Sequence, residues 1–249
     1  MPARRPRWTP PTAAGAAAGP RRAFNSGGRV FADFPYAHAI IGINLAVFAG
    51  WKFAEYRPGH REKRDALTFM HRHFMVSLES VSNGRLWTLL TANFSHQGFW
   101  HLALNMYMLW SFGSVSVLAL GGPGFARLYL YGAAGCVAVA LGADFLRYRR
   151  DAVAARRLGR GIQLTSHLGA SGAVNALVVF ACALQPMQQW LIWGVLPLPA
   201  CVVAALFIGY DVYAAGSRDG VSHFGHLGGA AVGALSFLMF RRRMTMRFR

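Results

Sequence analysis

Charged residues are scarce in this chain of 249 residues, and acidic residues are scarcer still. Asp, Glu, Lys and Arg make up 14% of the chain, and only 9 residues are acidic. A soluble globular domain has roughly 25% charged residues. A soluble helical bundle would also need a polar outer face on its helices, and long stretches of this chain carry none. The shortage of charge therefore disfavours an ordinary soluble domain.

Cysteine is also rare, with three residues in the whole chain. Cys136, Cys182 and Cys201 each lie inside an apolar stretch. Their spacing fits neither a disulfide framework nor a cysteine-based metal site, and we interpret them as small core residues.

Long apolar runs dominate the chain, since hydrophobic residues make up 54% of it. A membrane-spanning helix needs about 17–25 mostly apolar residues. Six runs come close to that length, at residues 36–54, 98–120, 125–145, 168–186, 190–210 and 221–240. The sequence therefore predicts an all-α membrane protein, a bundle of six transmembrane helices. This domain covers residues 36–243 and is followed by a short basic tail, residues 244–249.

Three of these runs carry strong polar groups close to the residue at which they begin. His101 and Asn105 lie in the second run, Ser171 in the fourth, and His223 and His226 in the sixth. Six alternating spans place the starts of these runs at one membrane face, and the groups then lie about 5–8 Å deep. Ionisable groups are costly inside a bilayer, so this convergence indicates a functional site.

A serine and a histidine at one depth indicate acyl-transfer chemistry. Ser171 becomes a strong nucleophile when a base takes its proton, and a histidine of the sixth run can be that base. His101 and Asn105 are four residues apart and therefore share one face of a helix. Each can donate a hydrogen bond to an oxyanion, as can the amide of Ser171 near a helix start.

Glycines surround the polar groups. Gly169 and Gly172 remove side chains beside Ser171 and leave room for the backbone of a substrate. Gly229 and Gly233 are four residues apart and form a small-residue face that lets two helices pack closely. That packing would bring His226 to Ser171.

Metal chemistry is the alternative use of the two histidines in the sixth run. His223 and His226 are three residues apart, which suits a shared metal ion, but the run contains no cysteine or acidic residue to complete the site. We therefore predict no metal and no other cofactor. Asp144 and Asp211 stand where the third and fifth runs end, and we interpret both as interfacial charges whose side chains reach out of the apolar layer.

The three motifs together resemble the rhomboid family of intramembrane serine proteases. The family pattern is His-x-x-x-Asn, then Gly-x-Ser-Gly, then a histidine followed three and seven residues later by glycines. The resemblance implies a serine endopeptidase that cleaves peptide bonds in or near transmembrane segments of other membrane proteins. It implies a dyad of Ser171 and His226 without a carboxylate, and an oxyanion site that includes His101 and Asn105.

The stretches around residues 93–112 and 168–173 are most similar to the mitochondrial branch of that family, the presenilin-associated rhomboid-like proteases. Two positions depart from the family pattern. Many members show a Trp-Arg pair in the first long loop, and here Trp87 is followed by Thr88. Some members carry a tyrosine four residues after the serine that stacks on the base, and this chain has Asn175 there. The support of the histidine is therefore left open by the sequence.

Two other classes of function remain open. An inactive rhomboid-like protein would bind or escort client helices, and the presence of both Ser171 and His226 argues against it. A transporter could relay protons through His101, His223 and His226, but it would need a continuous polar path. The far halves of the second, fourth and sixth runs are apolar, which argues against that path.

The net charge of +17 indicates a surface that contacts anionic lipid headgroups, rather than nucleic acid. Residues 1–32 contain six arginines and no acidic residue. We interpret residues 1–35 as a basic leader that serves as a transit peptide. A permanently disordered basic tail fits the composition equally well. The family resemblance favours the mitochondrial inner membrane, with a plastid or another organelle as the alternative.

A reporter fusion tests whether the basic leader is a transit peptide. Fused to a soluble reporter, residues 1–35 are expected to carry the reporter into mitochondria, because import depends on the positive charge of such segments. Replacement of the six arginines by glutamine should leave the reporter in the cytosol. Fluorescence microscopy with a mitochondrial marker measures both, and a cytosolic reporter with all arginines present contradicts the interpretation.

Overall fold

The computed structural model describes residues 35–158, 165–192, 195–217 and 219–247. Residues 1–34 of the predicted transit peptide lie outside the described residues. Residues 248–249 of the predicted tail lie outside them as well. The described helices are α1 Pro35–Glu55, α2 His60–Phe74, α3 Leu78–Ser82, α4 Thr88–Thr91, a 3-10 helix Ala92–Phe94, α5 Phe99–Leu158, α6 Ser171–Leu184, α7 Ala200–Ala214 and α8 His223–Arg247. Two short antiparallel pairs accompany them: β1 Val76–Ser77 with β2 Ser166–His167, and β3 Gln189–Ile192 with β4 Leu196–Pro199.

Three of the described helices are long and apolar enough to cross a membrane. They are α1, the part of α5 from Phe99 to Ala152, and the part of α8 from His223 to Met246. Helices α6 and α7 are apolar as well, but with 14 and 15 residues they are shorter than the usual span. The protein is thus mostly helical, as predicted, whereas helix length and composition identify three spans instead of six.

Helix α5 joins the second and third predicted runs across a kink. Gly121 lies at the kink with φ 70° and ψ 166°, a backbone conformation that favours glycine, and Pro123 follows it. The gap between these two runs, at residues 121–124, therefore coincides with the kink. The third run ends at residue 145, but the helix does not, because α5 continues to Leu158. The residues from 146 to 158 are rich in alanine and arginine, and both are strong helix formers although arginine is charged.

The predicted fifth span at 190–210 was also wrong in its first half. Gln189–Ile192 and Leu196–Pro199 pair as the antiparallel strands β3 and β4, and α7 begins only at Ala200. Pro197 and Pro199 explain the difference, because proline is poorly tolerated inside a helix. The hairpin is held against α5, where the Tyr107 hydroxyl donates to the carbonyl of Leu191 at 2.8 Å.

Helix α6 is the centre of the bundle, and nine of its 14 residues are buried. Helix α8 approaches it at two glycines. A side chain on Gly229 would collide with the carbonyl oxygen of Gly172, and one on Gly233 would collide with that of Ala176. The small-residue face predicted from the four-residue spacing is therefore the contact between α6 and α8.

Substitution of Gly233 by alanine tests this contact. The new methyl group would meet backbone atoms of α6, which cannot rotate away, so we expect a loss of roughly 1–3 kcal/mol in stability. Gly42→Ala in α1 is the matched control, because nothing lies within 4 Å of its added Cβ. That variant should be neutral or slightly stabilised. Thermal unfolding in detergent compares the two, and equal midpoints would contradict the close contact.

Candidate active site

Ser171 is the first residue of α6, and the loop before it is tied to the chain that precedes α5. Gly169 has φ 127°, and its amide donates to the carbonyl of Ala92 at 2.9 Å. The amide of Ala170 donates to Nε2 of His96 at 3.4 Å. A Cβ on Gly169 would lie 2.9 Å from the His101 ring, so both the conformation and the space require glycine.

His96 is a buried neutral ring that sequence reasoning missed as part of the site. Burial lowers the pKa of His96 to about 3, and the neighbouring His101 adds to the effect. A neutral imidazole keeps a lone pair, which is what the amide of Ala170 needs as an acceptor. The signal for such a role was a histidine five residues before His101, in the short connection that leads into α5.

His226 lies in the first turn of α8 and faces the start of α6. Its Nε2 is 2.8 Å from Oγ of Ser171. Its other ring nitrogen, Nδ1, is 2.9 Å from Oδ1 of Asp211 on α7. An ionised carboxylate can only accept, so Nδ1 carries the proton and Nε2 is left to accept the proton of the serine hydroxyl.

Asp211 corrects the interpretation of the acidic residues as interfacial charges. It is only 3% exposed and accepts from His226, from Nδ1 of His223 at 2.8 Å and from Nδ2 of Asn175 at 3.4 Å. Asp144 is buried too, with His167 at 2.6 Å. A buried carboxylate is costly without partners, and neighbouring elements supply them here. Partners on other elements cannot be read from the runs alone.

His223 faces away from the serine. Its Nδ1 contacts Asp211, and its Nε2 lies 3.1 Å from Oδ2 of Asp219 in the connection between α7 and α8. The backbone amide of Val221, followed by His223, lowers the pKa of Asp219 to about 2, so this carboxylate stays ionised. Both nitrogens of His223 therefore face carboxylates.

The predicted oxyanion residues lie at the same cavity as the serine and histidine. The cavity has a volume of about 790 Å³, and His101, Asn105, Ser171 and His226 all line it. Asn105 donates from Nδ2 to the carbonyl of His101 at 2.8 Å, which fixes the amide against the first turns of α5. The second N–H of this amide is the group that could reach a substrate.

A metal ion is the other chemistry that this cluster could support. Within the described residues, Asp211, His223 and His226 offer ligand atoms that all lie within 4.8 Å of one another. The sixth run by itself offers no acidic ligand, but the fold brings Asp211 of α7 to its two histidines. The same ring nitrogens already point at the carboxylate in hydrogen bonds, and a metal would have to replace these bonds.

Comparison with known proteins gives relatives over most of the chain. A family model described as Rhomboid domain matches residues 83–243. RHOMBOID-like protein 12, mitochondrial, of Arabidopsis thaliana is 36% identical over 182 residues, which is 70% of this chain and 52% of that protein. Rhomboid protein 1, mitochondrial, of Saccharomyces cerevisiae is 29% identical over 201 residues, 80% of this chain and 51% of that protein.

A third relative is Presenilin-associated rhomboid-like protein A, mitochondrial, of Danio rerio, at 27% identity over 208 residues, 78% of this chain and 45% of that protein. The chain spans about half the length of the curated relatives it matches. These relatives and the apolar helices confirm the prediction of a multi-pass mitochondrial membrane protein.

The two histidines of α8 are separable by substitution. We expect His226→Ala to lose as much cleavage of a transmembrane substrate as Ser171→Ala, and the double variant to lose no more, because a nucleophile and its base act as a unit. His223→Ala should keep substantial activity, because its ring contacts carboxylates and not the serine. Cleavage rates of the purified variants measure the ranking, and the reverse order would assign the base to His223.

Proposed function

The chain belongs to the rhomboid family, and from that premise we propose that it is an intramembrane serine endopeptidase. Its substrates would be other membrane proteins, cleaved in or near their transmembrane segments. The observation that carries the proposal is the contact of 2.8 Å between Nε2 of His226 and Oγ of Ser171.

The proposed reaction has two halves that use the same pair. Ser171 attacks the carbonyl carbon of the substrate while His226 takes the hydroxyl proton, and a tetrahedral oxyanion forms. His226 then gives the proton to the leaving amine, the peptide bond breaks and an acyl ester remains on the serine. Water attacks this ester with His226 again as the base, which releases the acid and restores the hydroxyl.

We assign the oxyanion site to three donors. The amide of Ser171 is at the start of α6 and needs no intrahelical partner, while His101 and Asn105 line the same cavity from α5. Donors of this kind are effective because they are held in place before the charge develops. A Cβ on Gly169 would meet the His101 ring and one on Gly172 would meet Cys136, so these glycines serve close packing and not an open approach for a substrate backbone, contrary to the expectation from the sequence.

We also propose the six-span architecture for this family member. The two parts of α5 on either side of Gly121 would cross separately, and α6 and α7 would cross as short helices. At 1.5 Å per residue α6 is about 21 Å long, which is less than the apolar layer of roughly 30 Å. Such a helix requires a locally thinner bilayer or cover by its neighbours. The burial of α6 between α5 and α8 supports the second explanation.

The cavity supports a transmembrane segment as the substrate. Apolar side chains of α5 and α7 line it beside the serine, among them Leu104, Met108, Leu206 and Phe207. A segment that leaves the lipid could therefore keep its side chains in apolar surroundings while its backbone reaches Ser171. Anionic lipids would contact the surface outside this cavity, given the net charge of +17.

Replacement of the serine separates the proposed protease from an inactive protein that escorts client helices. Ser171→Ala should abolish both cleavage of a transmembrane substrate and labelling by a fluorophosphonate probe, because the nucleophile is gone. The variant should stay folded and inserted, since alanine fits wherever serine fits. Gel electrophoresis of the substrate and in-gel fluorescence measure the two effects. A wild-type protein that neither cleaves nor reacts with the probe would support the escort function instead.

A further inference from the structure

The proposed reaction leaves one buried ionisable group of the cavity without a role. Asp211 of α7 lines the cavity, and its side chain is almost completely buried. Its Oδ1 accepts from Nδ1 of His226, on the opposite side of the ring from Ser171. The carboxylate, the ring and the hydroxyl therefore form one continuous line of hydrogen bonds, of 2.9 Å and 2.8 Å.

The line fixes the tautomer of His226. A neutral imidazole carries its proton on one of its two nitrogens, and only one choice leaves Nε2 able to accept from the serine. The ionised carboxylate of Asp211 can only accept a hydrogen bond, so it favours the tautomer of His226 that carries the proton on Nδ1. It also prevents rotation of the ring, since both nitrogens are held by partners on different helices.

Asp211 is itself held from two sides. His223, one turn before His226 on α8, donates to the same Oδ1 at 2.8 Å. Asn175 lies one turn after Ser171 on α6 and donates to Oδ2 at 3.4 Å. The helix that presents the serine thus also holds the carboxylate, and Asn175 occupies the position where some family members have a tyrosine against the base.

We propose that Asp211 is a positioning residue for His226. The site then consists of three residues joined by hydrogen bonds, Ser171, His226 and Asp211, and not of a dyad alone. The inference rests on the proposed protease function. When His226 takes the proton of Ser171 it becomes an imidazolium, and the neighbouring carboxylate stabilises this charge without accepting the proton. The proton then passes to the leaving amine, and Asp211 remains ionised throughout.

Asp211→Asn is the direct test, made in the full chain purified in detergent with a transmembrane substrate. The amide keeps the shape of the side chain but can also accommodate the wrong tautomer of His226. We expect kcat to fall by up to about 10⁴, the scale of the same replacement in a serine–histidine–aspartate site, with little change in KM. Asp211→Glu keeps the charge and should recover part of the loss.

Asp144→Asn is the matched control. This residue is another buried aspartate that contacts a histidine, at 2.6 Å from His167, and it stands outside the line to the serine. Its replacement by asparagine should leave kcat unchanged. A comparable fall in kcat for both aspartates would show a general cost of losing a buried charge and would overturn the proposal.

A second measurement separates positioning from a structural role. Thermal unfolding of Asp211→Asn in detergent should give a midpoint close to that of Asp144→Asn, because a positioning role lowers kcat without a selective loss of stability. A midpoint well below that of Asp144→Asn would show that Asp211 acts through folding and would overturn the inference. So would abolition of wild-type cleavage by a chelator, which would make Asp211 a metal ligand.

The outcomes also separate this inference from the proposed function. If Ser171→Ala retains cleavage, the protease proposal fails and the positioning role fails with it. If Ser171→Ala is inactive while Asp211→Asn keeps the wild-type kcat, the protease proposal stands and only the positioning role is wrong.

Discussion

The close approach of α6 and α8 is the constraint on which the rest of the site depends. The two backbones meet where Gly229 and Gly233 face Gly172 and Ala176, and side chains there would separate the helices. The distance from Ser171 to His226 is a few ångströms, so a separation of even one methyl group would break that contact. Close backbone packing at these glycines is thus what lets two residues that are 55 positions apart come within hydrogen-bonding distance.

The position of the candidate site was largely predictable from the sequence because its signals are local. A motif such as Gly-Ala-Ser-Gly specifies a backbone turn and a candidate nucleophile together, and the six spans predicted from the runs would place the motifs at one face. Asp211 was misinterpreted for a physical reason: its partners belong to other helices, and hydropathy along one run does not reveal them. The strands β3 and β4 were missed because average hydropathy ignores prolines. The end of α5 was placed too early because polar residues can continue a helix.

In the described part of the chain, histidines and not arginines accompany the buried acids Asp144 and Asp211. Asp144 is held by His167 and Asp211 by His223 and His226, although the chain has 26 lysines and arginines. A neutral imidazole can donate from one nitrogen, so His167 and His226 each satisfy a carboxylate without bringing a second full charge out of water. His223 faces a carboxylate at both ring nitrogens and can donate to both only as the imidazolium. Around these two acids the described residues therefore supply hydrogen bonds from histidines in place of ion pairs with permanent cations.

The order of these groups along the chain matters during membrane insertion. Ser171 lies on α6, Asp211 follows on α7, and His226 comes on α8, after both. A chain that has inserted the helices before α8 holds a serine with no base. For the proposed protease, insertion of α8 is therefore the step that joins the nucleophile to its base, and a partly inserted chain has no cleavage activity.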